Sequence, residues 1–197
     1  MPPIMHPIFA LSNPARLRAI HDDVALSVCL HEGGHAWVAR ELGAPYTTLH
    51  LPDLNGPTRT VEAAPANDTE LPAVLVNAAG LSRNDRICVL LGGYAGELCL
   101  YDRDYIARSG TFFTRLSHSG DDAAGIARTL GLPEPVTIPA VEKMLVAALK
   151  GARNKPYTLL TRDLAGFRRW VSRLHAAWAR EGFRGMGLRA DLLPDAA

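Results

Sequence analysis

The stretch Ser27-Val28-Cys29-Leu30-His31-Glu32-Gly33-Gly34-His35-Ala36-Trp37-Val38-Ala39 constrains this chain more than any other part of it. Asp22 and Asp23 offer an N-cap, and Leu42-Gly43-Ala44-Pro45 offers a stop, so the segment between them predicts one complete helix. On a helix His31 and His35 lie one turn apart on one face, where two imidazoles must sit to hold a single metal ion. Glu32 is turned about 100° from His31, within reach of a water at that metal but badly placed to be a ligand. Two ligands and a general base form the working part of a zinc hydrolase. H-E-x-x-H arises by accident in roughly one chain in a hundred of this composition, so the opposing reading, two polar residues of an ordinary amphipathic helix, is the weaker. Gly33 and Gly34 each cost about 1 kcal/mol relative to Ala within a helix. Their presence predicts close approach by another backbone or by the metal site itself.

The rest of the composition sets bounds rather than a function. A chain of 197 residues, 48% hydrophobic and 21% charged, is long enough for one packed domain. A net charge of +1 gives no bulk attraction to nucleic acid. Cys29, Cys88 and Cys99 lack metal-type spacing and sit among apolar neighbours, which predicts reduced, buried thiols and suits a cytoplasmic setting. Residues 1–10 are apolar but broken by Pro2, Pro3 and Pro7, and the first arginines, Arg16 and Arg18, come after them, the wrong order for a signal peptide. No apolar run reaches the length of a membrane span, so neither membrane nor nucleic acid is expected as a partner.

Taken in order, residues 1–21 read as a lead-in with one short helix near Ala15 and Ile20, serving as packing cover or as a strap across the site. Residues 22–135 read as the catalytic core, 136–182 as a helical continuation of the same domain, and 183–197 as a tail that is loose from Gly185 onward. Residues 46–51 and 59–63 alternate and are β-rich, with turn chemistry at Asp53, Asn55, Gly56 and Pro57 between them, so a hairpin or small sheet follows the motif helix. His50 on the first of these strands is expected to face solvent, with the cleft as the alternative. An edge strand there has an evident use in pairing with an extended substrate. Residues 71–79 are assigned a helix. Residues 84–98 are apolar nearly all round and belong in the core, with Gly92, Gly93 and Gly96 again predicting close helix approach. Residues 101–119 read as a long loop holding Asp102, Asp104, Phe112 and Phe113. Residues 139–150 form an amphipathic helix, and a longer one after Pro156 carries Leu160, Leu164, Phe167, Val171, Leu174 and Trp178 as a packing seam. Arg168, Arg169, Arg173 and Arg180 beside it read as a solvated face. The fold class expected is mainly α, in the α+β sense: a zincin-like helical domain with a small β-hairpin or sheet and C-terminal helices.

Catalytic zinc usually has three protein ligands, so two histidines are not enough. The metzincin continuation fails, because Val38 and Glu41 stand where Gly and a third His belong. The candidates are Asp122, Glu97, Asp121 and His118. Asp122 shares a helix face with Ile126 and Leu130 and ranks first, whereas Asp121 lies with Gly125 and Arg128; an S-x-x-D cap from Ser119 is the competing explanation of Asp122. Glu97, a carboxylate at the end of an apolar segment, wants a partner, and a metal-ligand histidine is the candidate, against a solvent-facing helix end.

His31-Glu32-Gly33-Gly34-His35-Ala36, then Leu91-Gly92-Gly93-Tyr94-Ala95-Gly96-Glu97-Leu98, then Ser119-Gly120-Asp121-Asp122 followed by Ile126-Ala127-Arg128, resemble the successive signatures of the FtsH-type zinc protease domain, in the same order and over about residues 22–131. The resemblance implies His31, His35 and Asp122 as zinc ligands and Glu32 as the catalytic base. It places Glu97 at the family's acidic helix position near the zinc. Departures are Gly33 where the family commonly has Ala, and a shorter spacing from Asp122 to Ile126. There is also no G-x-x-x-x-G-K-[ST] motif for the ATPase that feeds substrates to family members. The expected function is a stand-alone zinc metallopeptidase acting on accessible peptide or protein segments, with or without a separate protein partner. The alternative is a zinc-binding regulatory or interaction protein on a protease-like fold, and a weaker third is a helical module whose histidines bind nothing.

Overall fold

The computed structural model describes residues 5–44, 47–55, 73–77, 80–101, 120–131 and 155–189. The described residues are mainly helical, with one small sheet among them. The motif helix, α2 (Val24–Glu41), runs through its centre: every residue from 25 to 39 is buried, the two histidines and Glu32 included. Asp23 caps it, its Oδ1 accepting from Leu26 N–H at 2.8 Å, and Gly43, at φ +78°, ends it in a left-handed conformation that a side chain would resist. Asp22 is the last residue of the preceding helix, α1 (Asn13–Asp22). Before it a 3-10 turn (Pro7–Ala10) buries Ile8 and Phe9 in the same core, and the buried Arg16 donates to Phe9 O at 2.6 Å and Leu100 O at 3.2 Å. The lead-in is packing cover, fixed to the end of the helix that bears Glu97.

Residues 84–98 fold as two helices, not one, because the chain turns at Leu91 between α3 (Arg83–Leu90) and α4 (Gly92–Leu98). Ser82 caps α3 through a bond from Asp85 N–H at 3.1 Å. α4 crosses α2 backbone to backbone. A Cβ on Gly34 would overlap Gly92 O and stand 3.0 Å from Gly96 Cα, and one on Gly96 would overlap Leu30 O. Gly34, Gly92 and Gly96 thus meet each other, which explains their cost in helix propensity. The carbonyls of Cys99 and Tyr101, just past α4, accept from Arg168 at 2.9 and 3.0 Å. Arg168 therefore ties α4 to the C-terminal helices rather than lying on a solvated face.

The strand after the motif helix is β1 (Thr47–Leu51), but its partners are not the expected ones. Residues 59–63 lie outside the described residues. Residues 73–76, expected to be helical, form β2 (Ala73–Val76), antiparallel to β1, with Val74 and Val76 packed against the core as β-branched residues on a half-buried strand. The third strand, β3 (Met186–Arg189), comes from the segment expected to be a loose tail. The order is β2-β1-β3, so β1 is central and not an edge. His50 is half-buried in β1, opposite Gly187, with the Cβ position of Gly187 3.5 Å from its ring. Asp53 Oδ1 accepts from Asn55 N at 2.8 Å, making the turn that leaves β1.

After α5 (Gly120–Leu130) come α6 (Lys155–Arg162) and α7 (Leu164–Arg180). The last two were expected as one helix; Asp163 breaks them by capping α7, its Oδ1 accepting from Gly166 N at 2.8 Å. The seam is intramolecular core: Leu160, Phe167, Val171, Leu174 and Trp178 are fully enclosed, and the ring of Trp37 on α2 meets those of Phe167 and Trp170 edge to face. The three cysteines are free and buried. Among the described residues no helix is long and apolar enough to cross a membrane. The loop acids, the phenylalanine pair, His118, the Ser119 cap and the 139–150 helix lie outside the described residues.

Candidate metal centre

α2, α4 and α5 bring four of the singled-out side chains together. His31 and His35 stand one turn apart on α2, buried, their Nε2 atoms 3.2 Å from each other. Asp122 on α5 places Oδ2 3.2 Å from His31 Nε2 and 3.2 Å from His35 Nε2. Gly125 and Ile126 hold α5 in that position. The Cβ position of Gly125 is 3.1 Å from Leu90, and Ile126 is buried one turn from Asp122, as the shared face requires. The side chain of Asp121 lies outside the described residues.

The other ring nitrogens fix the tautomers. His31 Nδ1 donates to Glu97 Oε1 at 2.6 Å, and His35 Nδ1 donates to Val89 O at 2.7 Å. A carboxylate and a carbonyl only accept, so both protons belong on Nδ1. Gly93 N–H also points at His35 Nδ1 at 3.1 Å, but a bare nitrogen 2.7 Å from a carbonyl oxygen would repel it, so the shorter contact decides. Both Nε2 lone pairs and a carboxylate oxygen then converge on one point, three acceptors with equal edges of 3.2 Å. Ligands on a tetrahedral zinc with bonds of 2.0–2.1 Å are spaced about 3.3 Å apart. The triangle fits a small divalent cation, and His31, His35 and Asp122 can hold one. The carboxylate of Glu97 behind His31 and the carbonyl of Val89 behind His35 are the supporting bonds that orient ligating imidazoles.

Without an ion, the negative potential that would attract a cation draws protons to the same nitrogens. Burial alone would discharge the imidazoles, yet the Asp122 carboxylate, joined by Glu97 at His31, raises both above the ordinary histidine pKa, His31 well above it. Burial would also raise Asp122, and the two imidazoles instead hold it well below the usual carboxylate range. The pocket is built to concentrate positive charge. Glu32, 5% exposed, is raised by burial, only partly offset by the two imidazoles. A carboxylate raised above its ordinary value is a better proton acceptor than an exposed one.

Gly93 forms the close wall of the site. A Cβ there would overlap His35 Nε2 and stand 2.7 Å from His31 Nε2, so only glycine leaves the nitrogens clear. The sequence points these glycines to helix approach and does not show this use; the signal is that Gly93 is a second glycine directly beside Gly92, turned to a different side of α4. The carbonyl of Val89 carries no sequence signal, since any residue supplies one. No protein-family model, curated protein or solved structure matches this chain.

Proposed function

We propose that this chain is a zinc-dependent metallopeptidase of the zincin type, with His31, His35 and Asp122 as ligands and Glu32 as general base. The observation that carries the reading is the equal-sided triangle of acceptors at His31, His35 and Asp122, with Glu32 next to it on the same helix. The three stretches that resemble the FtsH-type protease domain lie on α2, α4 and α5, the helices that supply the triangle and its support, which favours that resemblance over coincidence. Zinc at such a site supplies a Lewis acid that acidifies water and polarises a carbonyl. Glu32 takes the proton of the attacking water and passes it to the leaving amine, its raised pKa suiting both halves of that exchange. Glu97 and the Val89 carbonyl hold the imidazoles at fixed tautomer and angle throughout. The substrate is an accessible peptide segment, and a cytoplasmic location suits the three free thiols.

The test pairs metal content with turnover. His35→Ala and Asp122→Ala each bind one zinc fewer than the wild type by elemental analysis, and Glu32→Gln keeps the full complement while losing hydrolysis of unfolded protein and fluorogenic peptides. Hydrolysis that survives in Glu32→Gln overturns the mechanism. Full metal with no hydrolysis in the wild type leaves the zinc-binding regulatory protein as the reading that stands.

A further inference from the structure

A second group of the same donor types lies at the other end of the motif helix. His6 precedes the 3-10 turn, Asp23 caps α2, and His175 sits on α7. One ligand atom from each lies within 4.8 Å of the others. The two imidazoles meet edge to face with centroids 4.8 Å apart. His6 Nε2 is 3.4 Å from Asp23 Oδ2, and His175 Nε2 is 3.6 Å from Asp23 Oδ1. Both separations exceed the 2.7–3.2 Å of a good N–H to oxygen hydrogen bond. Each imidazole faces its own oxygen of the Asp23 carboxylate, and with all three ligand atoms within 4.8 Å of one another an ion need draw them in only slightly to reach the spacing of about 3.3–3.6 Å between ligands with bonds of 2.0–2.2 Å.

The three side chains are held before any ion arrives. His6 N donates to Ser172 Oγ at 2.9 Å, one turn before His175 on α7, so His6 and His175 are fixed to the same helix face. Asp23 is fixed by its cap bond from Leu26 N. Side-chain exposures of 19% for His6, 27% for Asp23 and 15% for His175 leave the group open to an ion from solution. Ligation through Nε2 puts the His6 proton on Nδ1 at the cost of the 3.3 Å bond from Ile8 N–H, and the ion takes the place of the contacts that both imidazoles make with Asp23. Asp23 and His31 are eight residues apart on or just before one helix, about 12 Å at 1.5 Å per residue, too far to share an ion.

We infer that His6, Asp23 and His175 form a second binding site for a divalent metal of the zinc class, three protein ligands with the remaining coordination open to water, which ties the lead-in and α7 to the N-terminus of the motif helix. The inference does not depend on peptidase activity. Its ligands come from three separate segments, so the ion crosslinks them as a disulfide would, without needing an oxidising compartment.

The test is zinc binding by equilibrium dialysis of the full chain, for the wild type, His6→Asn, His175→Gln, His35→Ala and the His35→Ala/His175→Gln double variant. Asn and Gln are chosen to keep polar character at both positions, and circular dichroism confirms that each variant is folded. The expected numbers bound are two for the wild type, one for each single variant and none for the double. The rise in Tm that zinc gives His35→Ala is expected to vanish in the double variant. His175→Gln and His6→Asn binding as many ions as the wild type overturns the inference. Should the wild type bind one ion that is kept in His35→Ala and lost in His175→Gln, the second site stands and the proposed catalytic site fails.

Discussion

At the scale of single residues, the site is a set of acceptors whose protons have been assigned elsewhere. Glu97 keeps the Nε2 of His31 free, so its loss acts on metal affinity without removing a ligand. Glu97→Ala is expected to weaken zinc binding by about 10–100-fold, measured by chelator competition for the ion that Asp122→Ala also loses. An unchanged affinity would show that His31 is oriented by packing alone. The cysteines illustrate the opposite use of burial. Enclosure pushes Cys88 up to about 11 and Cys99 up to about 12, and Cys29 well above the ordinary thiol value. A thiol whose folded pKa lies above its unfolded value contributes stability that is complete below about pH 9 and is lost as the pH rises toward the folded value. Alkaline unfolding should therefore begin above about pH 9 and be delayed in Cys99→Ala. At neutral pH none of the three thiols should react with a thiol reagent until the chain is unfolded.

Between elements, what sets the site is the crossing of α2 and α4. Because Gly34, Gly92 and Gly96 meet through backbone atoms, an added methyl there cannot be absorbed by a rotamer change, whereas at Gly33 the obstacle is the ring of Trp170, 2.8 Å from the Cβ position. Gly34→Ala and Gly96→Ala should each destabilise by about 3 kcal/mol or more, and Gly33→Ala by less, in urea unfolding. Equal costs at all three would mean that the helices separate freely. The elements also mark what could be read from the sequence. His31, Glu32, His35 and Asp122 were legible because helical periodicity fixes which residues share a face, and Glu97 because an isolated carboxylate in an apolar segment needs a partner. The turn at Leu91 and the break at Asp163 were not, since a cap inside an otherwise periodic run leaves the hydrophobic pattern intact. Strands β2 and β3 were missed for another reason. Short apolar runs suit either secondary structure, and what decides is a partner far away in the chain. His6, Asp23 and His175 are separated by so much sequence that only the packing of α7 on α2 reveals them as neighbours.

For the molecule as a whole, a metal held as proposed would compete with protons for one pocket, and stability should record the contest with opposite signs. In protein stripped of metal, the raised pKa values of His31 and His35 mean that their stabilising contribution is complete below about pH 6.5 and is lost as the pH rises through the folded values. With zinc present the ligands must be unprotonated, so zinc binding, and the stability it adds, grows as the pH rises. Thermal melts between pH 6 and 8 should slope downward in a chelator and upward in excess zinc. Parallel slopes would place the ion elsewhere.

The wall behind the motif helix is assembled late in the chain. Gly33 and Trp37 of the motif helix rest on Phe167, Trp170 and Val171, and β1 is completed by residues 186–189. During synthesis, which proceeds from the N-terminus, the motif helix therefore leaves the ribosome well before the surfaces that bury it exist. Its histidines stay uncovered until α4 and α5 have been made, the latter ending at Leu130, and its other face until some 150 further residues have followed. A nascent chain halted before residue 164 should hold zinc weakly and bind chaperones through the bare back of α2, and release past residue 189 should end both.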